Sequence, residues 1–194
     1  MLSKKLILAS NSPRREQLLK KENFKFEIVP SSYNEHLFSS DPVITATTFA
    51  REKALDVYNK IQNEDVIILS ADTVVFLNGE ILGKPQNEKQ ASLMLKQLSD
   101  KTHSVTTGFC IKCGEKEILD TDTTFVTFND LSNELINEYI ASGLYKGKAG
   151  AYGIQGKGSL LVKRINGDYF NVVGLPVCAL SKMLRDEFNV EVLS

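Results

Sequence analysis

Two periodicities alternate along this chain. "KLILA" (residues 5–9) is a short apolar run that predicts a buried strand, and "FKFEIV" (24–29) alternates like a half-buried one. "VIILSADTVVFL" (66–77) is apolar except at Ser70, Asp72 and Thr73, the pattern of a strand covered on both faces. Asn78-Gly79 then predicts a hairpin turn into "EIL", and Asn166-Gly167 another before "DYFNVV". "SVTTGFCIK" (104–112) and "EILDTDTTFVTF" (117–128) carry enough β-branched and aromatic residues to be strands.

Helical spacing fills the intervals. Ala50, Ala54, Val57, Tyr58 and Ile61 keep it through "FAREKALDVYNKI". Ala91, Met94, Leu95 and Leu98 keep it again, with Asn87 and Gln90 placed as a capping pair. "SNELINEYIAS" ends at Gly143, and Pro176 opens a last helix with a Val177, Leu180, Leu184, Phe188 stripe. Ser12 and Pro13 mark one more start, as N-cap and first helical residue. This order predicts an α/β protein around a mixed sheet, not a pure strand–helix alternation. No repeat, low-complexity tract or linker divides residues 1–194, so one domain is expected.

Composition narrows the function classes. Lys plus Arg number 23 against 24 Asp plus Glu, a net charge of −1 that argues against a nucleic-acid partner. The N-terminal apolar run is too short for a signal segment, and no run is long enough to span a membrane, so the expectation is a cytoplasmic protein. Three cysteines argue against a disulfide framework. Cys110 and Cys113 form C-x-x-C within a predicted strand, where residues three apart face opposite sides, so they read as ordinary thiols. His36 and His103 stand alone and read as structural or solvent-facing.

Four stretches do not look like scaffold. Arg14 and Arg15 sit in a predicted first helical turn, where the helix dipole disfavours each cation by roughly 0.3–1 kcal/mol. With Ser10 and Ser12 they suit a polyanion at a helix N-terminus; otherwise they face solvent or pair with Glu16 and Glu22. Asp72 interrupts an apolar run, which calls for a metal, a buried partner, a proton-accepting role in a cleft, or local backbone amides. "LGKP" presents Lys84 on a loop stiffened by Pro85; with Lys53 it adds cations to a phosphate pocket, unless both are solvated surface charges. "GKAGAYGIQGKG" lets backbone approach a ligand closely, fits neither common nucleotide-binding glycine fingerprint, and holds Gln155, whose amide can read a base edge.

In order, "LASNSPRREQLL", "FAREKA", "SADTVV", "LGKP", "LSDKTHSV", "KAGAYGIQG" and "YFNVVGLP" resemble the Maf family of nucleoside triphosphate pyrophosphatases across nearly the whole chain. The resemblance implies an elongated, mixed sheet flanked by helices, similar to the ITPase-like enzymes, with a cleft between two lobes and a homodimer. It implies hydrolysis of a nucleoside triphosphate to monophosphate and pyrophosphate with a divalent cation, Mg²⁺ or Mn²⁺. Asp72 then matches the proton acceptor, while Ser10, Arg14, Arg15, Glu35, Lys53, Lys84 and Gln155 match positions around substrate or metal, Glu35 and Asp72 being the metal pair. Arg14, Thr73 and Gln155 resemble the branch acting on dTTP and UTP, not the one acting on 7-methyl-GTP.

The chain departs from the family at Asp100, where Gly is common, and at Leu144 and Gly147, where an acidic pair is common. Those two changes put a metal or lysine partner from the glycine-rich stretch in doubt. Two further readings share the phosphate pocket: a non-catalytic nucleotide-binding regulator of septum formation, and a sanitiser of modified pyrimidine triphosphates.

Overall fold

The computed structural model describes residues 4–36 and 39–190; the first three residues of the N-terminal segment discussed above lie outside them. The elements run β1 (Lys5–Leu8), α1 (Pro13–Lys21), β2 (Phe26–Ile28), α2 (Pro42–Ile61), β3 (Val66–Leu77), β4 (Glu80–Leu82), α3 (Glu88–Leu98), β5 (Thr102–Cys113), β6 (Lys116–Phe128), α4 (Asn133–Ala141), β7 (Val162–Asn166), α5 (Tyr169–Val173) and α6 (Val177–Phe188). Among the described residues, seven strands form one sheet in the order β2-β1-β3-β5-β6-β7, with β4 also on β3. β1 is parallel to β2 and β3, and the remaining pairings are antiparallel. No helix among them is long and apolar enough to cross a membrane.

The expected elements are present, and two differ in kind or extent. α2 begins at Pro42, well before the apolar spacing from residue 49. Its first turns are rich in β-branched Val, Ile and Thr, which mask a helix in propensity, but Asp41 accepts from the Val43 and Ile44 amides and Pro42 follows it. The Asn166-Gly167 turn does not lead into a second hairpin strand. Asp168 accepts from the Phe170 amide at 2.8 Å, and "YFNVV" is the helix α5. Asn87 caps α3 as expected, although Gln90 returns its bond to the Gln86 amide. Asp100 takes the left-handed conformation (φ +52), a backbone geometry that glycine adopts without steric cost.

Side chains alternate across β1 and β3 into two cores. Leu6, Leu8, Ile67, Leu69 and Ala71 face the large core under α1, α3, α4 and α6. Ile7, Ala9, Val66 and Ile68 face α2, with Ala50, Ala54 and Val57. Cys110 and Cys113 fall on these opposite sides, and all three cysteines are free. Helix α2 lies unusually close to the sheet because its inward stripe is Ala46, Ala50 and Ala54 and because Gly108 lies beneath it. A Cβ on Gly108 would stand 2.6 Å from both the Ala46 carbonyl carbon and the Thr47 nitrogen.

Gly108→Ala should therefore push α2 from the sheet and lower stability by about 1–3 kcal/mol or more. Urea unfolding of the variant tests this, and an unchanged midpoint would show that the helix has slack.

Candidate functional site

The sheet is incomplete at one point. β1 pairs with β3 over Val66–Leu69 and β4 pairs with it over Val75–Leu77. On that edge no described strand covers residues 70–74, and a cleft of about 600 Å³ opens there. Its walls are the start of α1, the loop before α2, Lys53 of α2, the Lys84 loop and the glycine-rich turns. Ser10, Arg14, Arg15, Glu35, Lys53, Asp72, Thr73, Lys84 and Gln155, distant in sequence, all line it.

At one end lies an ionic cluster. Val66, Ile68, Ser70 and Asp72 share one face of β3, so the period that buries the first two carries Asp72 beneath α2. The Lys53 ammonium lies 2.6 Å from Asp72 Oδ1 and 2.5 Å from Glu35 Oε1, and Lys84 Nζ is 3.0 Å from Glu35 Oε2. The same surroundings move the two carboxyls apart. Burial would raise both; at Glu35 the Lys53 and Lys84 charges outweigh it and take the pKa down to about 2. At Asp72 burial dominates, with the Glu35 charge adding to it, and the pKa rises despite Lys53 and Arg15. Two carboxyls driven in opposite directions are the usual signature of divided acid–base roles. Asp56 holds the loop that carries Glu35, accepting from Ser31 Oγ and the Ser32 amide at 2.8 Å.

The two arginines diverge. Arg15 is buried, and its Nε donates to the Gly174 carbonyl at 2.7 Å while its terminal nitrogens reach Thr73 Oγ1 (2.9 Å) and Ser10 Oγ (3.4 Å). It ties α1 to β3 and to the end of α5. Arg14 is half-buried and forms no hydrogen bond or ion pair among the described residues. Glu16 pairs with Lys20 instead. Burial lowers the pKa of both guanidinium groups, with Asp72 opposing this at Arg15. Ser12 occupies the N-cap position without a side-chain bond, its own amide donating to Ser10 Oγ. The first turn of α1 thus opens uncapped into the cleft beside a cation with no counter-charge among the described residues, an arrangement whose chemistry suits an anion.

Beside Arg15 lies a neutral wall of hydrogen-bonded side chains. Thr73 and Thr107 are cross-strand partners with hydroxyls 2.9 Å apart. Thr107 also bonds Asn171, a fully buried side chain that donates to the Val105 carbonyl and to Thr124 Oγ1. Behind this wall His103 Nε2 lies 2.7 Å from the Tyr152 hydroxyl, both rings packing edge-on against Phe128. Burial drives the His103 pKa down to about 4. Gln155 is half-buried on the last turn of the glycine-rich stretch. That stretch adds Lys146 and Lys148 to the cleft and no carboxylate, as Leu144 and Gly147 foreshadow. Asn171 and Thr107 are absent from the sequence-derived site. Asn171 carried a signal of the same kind as Asp72, a polar residue within an apolar run, hidden by reading "DYFNVV" as a strand.

The Maf-like protein family model matches residues 5–187. A dTTP/UTP pyrophosphatase of Alkaliphilus oremlandii is 50% identical over 194 residues, covering 98% of this chain and all of its own length. Proteins of the same name from Pyrococcus furiosus (48%) and Aquifex aeolicus (46%) each align over 94% of this chain and 95% of their own. A nucleoside-triphosphatase, dITP/XTP pyrophosphatase of Mycobacterium abscessus aligns in structure over 96% of this chain and 100% of its own, at 15% identity and a TM-score of 0.49.

Two expectations follow from this geometry. Arg14→Ala should leave thermal stability unchanged or slightly higher, since a cation leaves a first turn, whereas Arg15→Ala should cost roughly 2 kcal/mol or more by leaving a buried carbonyl unpaired. Parallel melting curves decide; equal losses would make both arginines structural. His103 binds its proton more weakly folded (about 4) than unfolded (6.5), so its contribution to stability is lost as pH falls from 6.5 through 4. That contribution approaches roughly 3 kcal/mol, and His103→Gln should flatten the stability profile in this window, as pH-dependent denaturation would show.

Proposed function

The chain belongs to the Maf-like protein family, and on that premise we propose that it hydrolyses nucleoside triphosphates, dTTP and UTP foremost, to the monophosphate and pyrophosphate. The observation that carries this is the ionic cluster: one ammonium shared by two carboxyls of opposite pKa shift, in a cleft whose other charged lining residues are cations. The names of the relatives at 46–50% identity support the same substrates.

Asp72 accepts the proton of the attacking water, a role favoured by burial, which raises its pKa and so its basicity. Water oxygen bonds to the α-phosphorus, the α–β bridging bond breaks, and its electrons leave on pyrophosphate. Arg14, Lys53 and Lys84 face the phosphate oxygens and offset the charge that collects on the leaving group. Arg15, with most of its donors directed inward, sets the positive potential and holds Ser10 and Thr73 in place. Gln155 reads the base, its amide N–H donating to O4 and its oxygen accepting from N3–H; cytosine reverses both groups.

A divalent cation fits Glu35 and Asp72. Both carboxylates already converge on one cationic point, the Lys53 ammonium, and Mg²⁺ is commonly held by one or two carboxylates together with substrate phosphates. When bound, Mg²⁺ or Mn²⁺ neutralises phosphate charge and lowers the pKa of a bound water. Residues 1–194 act as one domain in this reading, in the cytoplasm, with three free thiols supporting a reducing compartment, and as a homodimer.

Asp72→Asn keeps the side-chain volume and removes the proton acceptor. Pyrophosphate release from dTTP should fall by roughly 10²–10⁴-fold with nucleotide affinity and melting temperature preserved. Partial recovery in excess Mn²⁺ would shift the role of Asp72 toward the metal. A folded variant with near-normal turnover would sink the mechanism.

A further inference from the structure

The neutral wall of the cleft has a fixed proton order, because both ends of its hydrogen-bond chain allow one role only. Arg15 can only donate, and it donates to Thr73 Oγ1. The Asn171 carbonyl can only accept, and it takes the single Thr107 hydroxyl proton at 3.0 Å. Between these ends the 2.9 Å contact of Thr73 with Thr107 is satisfied in one sense, Thr73 donating to Thr107. The reverse sense would set the Thr107 oxygen and the Asn171 carbonyl oxygen 3.0 Å apart with no proton between them.

Asn171 cannot relax this order. Its amide nitrogen gives one proton to the Val105 carbonyl and the other to Thr124 Oγ1, each at 3.0 Å, and its oxygen accepts from the Thr107 amide. Thr124 in turn gives its proton to the Asp168 carbonyl. Every proton in the group is committed.

We infer that Thr107 and Asn171 are positioning residues that lock Thr73 as a pure hydrogen-bond acceptor toward the cleft, so that a ligand must bring an N–H or O–H donor to it. A phosphate oxygen has no such proton and is turned away from this wall, which directs the triphosphate toward the lysines. This rests on the triphosphate reading above. Thymidine triphosphate has two donors outside its phosphates, N3–H and the 3′-hydroxyl, and UTP retains both. With Gln155 taking N3–H, the sugar 3′-hydroxyl is the donor that meets Thr73.

The test compares dTTP with its 3′-deoxy-3′-fluoro analogue, which keeps an electronegative atom but no proton, and UTP with CTP, by kcat/KM for pyrophosphate release. The wild-type chain should prefer dTTP over the fluoro analogue by roughly tenfold, about the value of one hydrogen bond. Thr107→Val should reduce that preference to below about threefold, since the Thr73 hydroxyl is then free to turn its proton to the cleft. Thr107→Ser, which keeps the hydroxyl, should retain the wild-type preference, a rescue that a merely structural role would not produce. Relaxed UTP-over-CTP preference in Thr107→Val, with the fluoro ratio unmoved, would support the lock and make N3–H the donor. If both ratios stay at wild-type values, the lock is overturned while the triphosphate reading stands. A wild-type chain that releases no pyrophosphate overturns that reading and this inference together. Should Thr107→Val fail to fold, Thr73→Val must by itself abolish the preference, and its persistence there overturns the inference.

Discussion

A carboxylate on a buried strand costs several kcal/mol unless a counter-charge reaches it, and much of this fold follows from how Asp72 is reached. The counter-charge is Lys53, on a helix that must lie almost in contact with the sheet. Three alanines, Ala46, Ala50 and Ala54, give α2 an inward stripe with little side chain, and Gly108 removes the side chain beneath it. Gly108 is also the cross-strand partner of Asp72, so the closest approach of the helix and the site of the buried charge share one register. One residue earlier on the same face, Ser70 donates to the Ala50 carbonyl and ties helix to strand. Packing and electrostatics at this point are a single constraint.

The two arginines at the start of α1 show how a local cost is resolved at tertiary level. Each is unfavourable in a first helical turn, by an amount smaller than one buried hydrogen bond to a charged group. Arg15 recovers more than that from Gly174, Thr73 and Ser10, and it does so as a strut between distant segments. Arg14 has no hydrogen bond or ion pair among the described residues. Its charge has value only when an anion enters the cleft, and in that respect adjacent residues of the same type differ completely.

Much of the fold was legible because its signals are local. Apolar runs, Asn-Gly and capping residues mark β1, β3, β5, β6, α3 and α4 without reference to the rest of the chain. The failures occur where a tertiary bond overrides a local signal. Asn166-Gly167 looks like a hairpin turn, but Asp168 caps a helix there and Asn171 is drawn into the sheet by four hydrogen bonds to three residues on β5 and β6. Among the site residues, charged and glycine-rich stretches stood out because charge in an apolar context is conspicuous. Thr107 did not, since a threonine in a strand is ordinary and its importance lies only in what stands on either side of it.

That difference bears on how a cleft of this kind can choose among ligands. Phosphate groups are common to all nucleoside triphosphates, so in the role proposed for them Lys53, Lys84 and Arg14, which line the cleft, would hold any of them without distinguishing one from another. Lys84, on a long exposed stem, also adapts, exchanging Glu35 for a phosphate oxygen at little geometric cost. Orientation, which tells hydroxyl from phosphate, has to come from groups that cannot adapt, whose protons are already assigned before the ligand arrives. The Arg15–Thr73–Thr107–Asn171 chain meets that requirement, because its two end bonds have one possible direction and reversing the middle one leaves the Asn171 carbonyl without its Thr107 proton. On the proposed reading affinity belongs to the ionic end of the cleft and the orientation of the ligand to its neutral wall, and Arg15, bonded into that wall while its charge acts on Asp72, couples the two.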